Sequence, residues 1–110
     1  MAYGHPRNDR RSVRLHQAIA QKLLEQPDLV LTKARHNLAG MMHRAQSTPY
    51  TQKWRALLDL PLPVLADRLT EESDEMTALR QCTPFAGVLS PQERWIIYRT
   101  FREEEDHDTK

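Results

Sequence analysis

Seven prolines against only three glycines punctuate this chain of 110 residues, and that punctuation constrains the fold more than any other feature. Strands would appear as alternating runs of β-branched residues bounded by turn signals, and almost no such runs exist. What remains is apolar residues recurring at three- and four-residue steps between prolines, the pattern of short helices broken where a backbone amide is missing. The sequence therefore predicts an all-α fold, an irregular bundle of five to six short helices.

Residues 1–11 are polar and contain glycine and proline, so they read as a flexible basic arm. Ser12 is placed to cap a helix running to about Gln26, with Leu15, Ala18, Ile19 and Leu23 on one side. Pro27 suits the first turn of a second helix, whose inward residues would be Leu31, Ala34, Leu38, Met41, Met42 and Ala45. Ser47-Thr48-Pro49 opens a third, with Tyr50, Trp54, Leu57 and Leu58 inward, and Pro61 and Pro63 end it. Val64 to Leu69 supplies a helical turn or two. The acids of Thr70-Glu71-Glu72-Ser73-Asp74-Glu75 then sit where the exposed amides of a new helix favour negative charge, and Met76, Leu79 and Cys82 continue inward. Thr83-Pro84-Phe85-Ala86-Gly87 must be irregular. Ser90-Pro91-Gln92-Glu93 combines a cap serine, a first-position proline and a glutamate three residues after the cap, opening a last helix to about Arg102 with Trp95, Ile96, Tyr98, Arg99 and Phe101. Residues 103–110 read as a frayed acidic tail, leaving 12–102 as a single helical domain. No period of 20–50 residues marks a repeat array.

Charge is sorted along the chain although the total is only +1: ten basic residues face three acidic ones through Arg55, and six face twelve thereafter. The two ends thus present opposite potentials to partners. With 39% hydrophobic and 28% charged residues, a single modest core can form, and a thin core favours a stabilising partner. Cys82 is the sole cysteine, which excludes an internal disulfide and a thiolate metal pair. Neither a signal-peptide core nor an apolar run of membrane length is visible, so a cytoplasmic protein that makes no membrane contact is expected.

Arg7, Arg10, Arg11 and Arg14 form the leading candidate for nucleic-acid binding, joined by Lys22, because steps of three and four would stack most of them along one helix face toward phosphates. The plainer reading is solvated charge on a terminus. No aromatic interleaves them, and the first two helices lack a helix-turn-helix glycine turn. A second group, Arg80, Pro84, Phe85, Arg94, Tyr98 and Arg99, combines a rigid loop, a presented phenylalanine and residue types that dominate binding hot spots. Against it stands the reading that Phe85, Val88, Leu89 and Trp95 close the core. His36 and His43 lie seven apart, whereas zinc ligands are usually three to five apart, and His16 could join them only through folding, so no metal or other cofactor is expected. Cys82 lacks a visible base, the clustered carboxylates are explained by helix capping, and no phosphate-cradling glycine loop exists. An enzyme is not expected.

Leu79-Arg80-Gln81, Thr83-Pro84-Phe85-Ala86-Gly87-Val88-Leu89 and Glu93-Arg94-Trp95, with Ala34-Arg35-His36-Asn37-Leu38 upstream, resemble small bacterial antitoxin-like proteins of toxin–antitoxin operons. The resemblance covers most of residues 12–102. It implies a non-enzymatic protein that binds and silences a toxin and can also bind operator DNA, and it assigns no chemical role to individual residues. Two functions follow as expectations. The first is neutralisation of a toxin by direct contact, through Phe85 wedged into an apolar pocket or through the acidic back half covering a basic cleft. The second is DNA-binding regulation by the basic half, where four to six phosphate contacts would give a log-affinity against log-salt slope of roughly −4 to −5. Self-association is compatible with either.

Overall fold

A computed structural model describes residues 6–45 and 48–108, and among them the regular secondary structure is helical throughout. Six helices follow in order: α1 Pro6–Glu25, α2 Pro27–Ala45, α3 Pro49–Leu58, α4 Leu62–Leu69, α5 Asp74–Gln81 and α6 Pro91–Asp108. The proline punctuation is visible directly, since α1, α2, α3 and α6 each begin on a proline, where the missing amide costs no intrahelical bond. Side-chain caps do the rest. Thr48 accepts from the Thr51 amide and Thr51 answers the Thr48 amide; Ser73 accepts from the Met76 amide; the Ser90 hydroxyl accepts from the Glu93 amide while Glu93 accepts from the Ser90 amide.

The central element is α1, which touches α2, α4, α5 and α6, while α3 packs on α2. Leu23, Val30, Ala34, Trp54, Leu58, Leu65, Leu69, Met76, Leu79 and Phe85 are essentially sealed from water. Removing each large side chain from solvent contributes about 1.5–3 kcal/mol, so the core is small but continuous. At its centre Trp54 and Phe85 meet edge to face with ring centroids 5.8 Å apart, and the indole N–H donates to the Leu79 carbonyl at 2.9 Å.

Three expectations about the elements are corrected. Ser12 does not cap a helix: α1 is already helical from Pro6, with Asp9 in its first turn, so only residues 1–5 of the anticipated arm lie outside the described residues. At the far end α6 runs to Asp108 instead of stopping near Arg102, because Glu104 and Glu105 pair with Arg14 and Arg10 of α1 and tie the last turns down. Tyr50, expected inward, is exposed, and Thr51 takes the buried position because its hydroxyl is held by the cap at Thr48. No described helix is long and apolar enough to cross a membrane.

Candidate functional site

The basic residues of α1 and the acidic residues of α6 lie along one seam between the two helices. Arg10 Nη2 is 2.9 Å from Glu105 Oε1, Arg14 pairs with Glu104, and Lys22 Nζ reaches Glu93 Oε1 at 3.1 Å and the Val88 carbonyl at 3.0 Å. Both ends of the seam are thereby fixed. Glu93 is held below the usual carboxylate range, first by the Ser90 amide and then by Lys22, so it stays ionised at the start of α6. Arg11 makes no ion pair among the described residues; its guanidinium carbon stands 4.9 Å from the centroid of the Tyr98 ring. The side chain of Arg7 lies outside the described residues. The arginine stripe anticipated as a phosphate site is therefore largely engaged within the chain.

The second anticipated group divides differently from expectation. Phe85, expected to be presented, is 1% exposed against Trp54, and Pro84 is also buried. Their loop is fixed from α2, where the Asn37 amide nitrogen donates to the Pro84 carbonyl at 2.9 Å and the Ala86 carbonyl at 2.8 Å. Gly87 closes the turn with φ +80°, a conformation that side chains with a Cβ avoid. Arg80 is buried as well. Its Nη1 donates to the Glu71 carbonyl at 2.6 Å and the Leu69 carbonyl at 3.3 Å, finishing the end of α4, and its Nη2 lies 3.6 Å from Asp9 of α1. Arg80, Pro84 and Phe85 accordingly build the fold and are not available to a partner.

Among the side chains α6 presents to solvent are Arg94, Trp95, Ile96, Arg99 and Arg102, with the acids Glu103 and Asp106, while Tyr98 is half-buried. Trp95, an expected core residue on one reading, is 59% exposed and Ile96 57%. Arg99 stacks over the Trp95 ring at 5.1 Å and makes a loose 3.6 Å contact with Glu103. Beside Ile96, a cleft of about 410 Å³ runs between α6 and α1, floored by Ala18, Leu89 and Ile97 and edged by Gln21. The signal for this face lay in the sequence: on α6 the inward steps Ser90, Glu93, Ile97, Phe101 and Glu104 leave Trp95 and Arg99 on the opposite side.

Among the described residues no three His, Cys, Asp or Glu side chains converge to hold a metal. Burial pushes the Cys82 thiol up from its ordinary value, and its Sγ sits 3.5 Å from the Leu79 carbonyl oxygen, so a thiolate is disfavoured. His16 is only 2% exposed and bridges α1 to the loop after α5, with Nδ1 2.8 Å from the Ser12 carbonyl and Nε2 3.0 Å from the Thr83 hydroxyl. Both its ring nitrogens are engaged inside the protein. No protein-family model, curated protein or solved structure matches the chain.

Proposed function

We propose that this chain is an antitoxin-like binding protein that neutralises a cognate toxin by direct protein–protein contact. One observation carries the reading: the ion pairs of the α1–α6 seam engage the charged ends of the chain with each other, while Trp95 on the outer side of α6 and Ile96 beside the α1–α6 cleft stand more than half exposed. Neighbouring large apolar side chains held in water by a regular helix mark an interaction surface. Exposed tryptophan, tyrosine and arginine are the types that concentrate binding energy at protein interfaces. The toxin as partner comes from the resemblance in the Leu79–Trp95 region. Both blocking modes first anticipated lose support: Phe85 is 1% exposed and cannot wedge into a pocket, and Glu104 and Glu105 of the acidic back half already have partners. Apolar contact by α6 is favoured. Co-expression with the product of the adjacent gene tests the reading: a co-purifying complex and rescue of growth are expected, and neither complex nor rescue would refute it.

A DNA-binding role draws on a different surface from the one first anticipated. Lys33, His36 and Arg44 on α2 and Arg55 on α3 are exposed and make no ion pair among the described residues. Three or four such contacts give a salt slope of roughly −3, and duplex binding that ignores salt would remove this second reading.

A further inference from the structure

We propose that the outer face of α6 from Arg94 to Arg102 is the element a protein partner grips, and that the partner offers an apolar groove rimmed by carboxylates. The proposal deepens the protein-docking reading and rests on it. Trp95, Arg99 and Arg102 follow at i, i+4 and i+7 and so share one helix face, the spacing by which a helix is read in a groove.

Four guanidinium groups surround two aromatic rings here. Arg99 lies over Trp95 and Arg11 of α1 over Tyr98, while Arg94 and Arg102 are exposed with no ion pair among the described residues. The nearby acidic side chains are Glu103, which meets Arg99 at 3.6 Å with both side chains more than 60% exposed, a contact that water screens, and the exposed Asp106 four residues beyond Arg102. Arg11, Arg94, Arg99 and Arg102 still outnumber Glu103 and Asp106, so the face carries an excess of positive charge around an apolar centre. Its complement is acidic at the rim and apolar in the middle.

Other occupants fit less well. A second copy docking on a two-fold axis would bring together two faces that each carry an excess of arginine, so like charges would oppose the contact. A nucleic acid would present a uniform run of phosphates to a strip that contains Glu103 and is flanked by Ile96, neither of which favours an anion.

The test exploits the two tryptophans, since Trp54 is fully buried and Trp95 is 59% exposed. In the full chain labelled with 5-fluorotryptophan, a soluble nitroxide should broaden the fluorine resonance of Trp95 and spare that of Trp54. Adding the unlabelled product of the adjacent gene should protect Trp95 by at least twofold. Calorimetry should show Trp95→Ala, and separately the Arg99→Glu/Arg102→Glu pair, weakening the complex at least tenfold, with circular dichroism confirming that each variant is folded. A complex that leaves Trp95 unprotected and tolerates both variants overturns the assignment to α6 while sparing the docking reading. Absence of any complex overturns both. Protection of Trp95 by self-association, or by an oligonucleotide in place of the protein, also overturns the proposal.

Discussion

Acidification from pH 7 to pH 5 should destabilise the protein by about 2 kcal/mol, through His16. The ring is sealed between α1 and the Thr83–Gly87 loop, and its bonding requires the neutral form. Nδ1–H donates to the Ser12 carbonyl at 2.8 Å, which leaves Nε2 to accept from the Thr83 hydroxyl at 3.0 Å; the same hydroxyl oxygen accepts from the Phe85 amide at 3.2 Å. A second ring proton would face a hydroxyl already oriented as donor, and the new charge would lie near Arg80. Burial, the larger cause, and Arg80 together outweigh the Ser12 carbonyl and lower the pKa from 6.5 to about 4. The sign follows from linkage. As pH falls through 6.5 the unfolded chain takes up a proton that the folded chain refuses until about pH 4, so stability is intact near neutrality and declines across that window. By pH 4 the loss reaches about 3 kcal/mol, with each unit of difference worth about 1.4 kcal/mol. Glu93, held below the usual carboxylate range, adds a loss of the same sign, but only at the acid end of this window, where the unfolded carboxyl begins to take up its proton. Urea unfolding followed by far-ultraviolet circular dichroism at pH 7, 6 and 5 measures the effect. His16→Gln, which keeps a hydrogen-bonding amide but does not titrate, should flatten the pH dependence whatever its starting stability. A wild type of constant stability down to pH 5, or a variant with the same slope, would refute the reasoning.

Two further substitutions test the buried framework. Arg80→Met keeps most of the volume but strands the Leu69 and Glu71 carbonyls and removes the partner of Asp9, so thermal unfolding should report a loss of about 2–4 kcal/mol; a loss within about 0.5 kcal/mol would show that Arg80 is not structural. Gly87→Ala meets both the +80° φ and the Lys33 Cε at 3.3 Å, and denaturant unfolding should show a cost of about 1–2 kcal/mol, with an unchanged midpoint contradicting the strained turn.

Much of the fold was legible because its signals are local. Pro27, Pro49 and Pro91 sit at helix starts, and Thr48, Ser73 and Ser90 are within one turn of the amides they cap, so neighbouring residues suffice to read them. The boundaries that were missed depend on distant residues. Pro6 to Arg11 look like a polar arm until Arg10 meets Glu105 and Asp9 meets Arg80, and the tail looks frayed for the same reason. The sorting of charge along the chain is plain in the sequence, but its geometrical consequence is not. Antiparallel contact between the first and last helices turns an apparent two-ended display into an internal seam. The loop was misread in a related way. Arg80, Pro84, Phe85 and Gly87, with Asn37 on α2, suggest a binding surface in sequence, yet each has a structural duty in or beside the turn between α5 and α6. A lone arginine beside a proline and an aromatic looks like an interface in sequence. Only burial distinguishes it from a core anchor.

The salt dependence of duplex-DNA binding measures most directly whether the charged ends are engaged with each other. With Arg10, Arg14 and Lys22 held by carboxylates of α6, the wild type should show a log-affinity against log-salt slope no steeper than about −3. Glu104→Gln/Glu105→Gln, which frees Arg14 and Arg10, should steepen it by about two. A wild-type slope of about −5 that the double variant leaves unchanged would mean that those arginines are already free, and the seam would be contradicted.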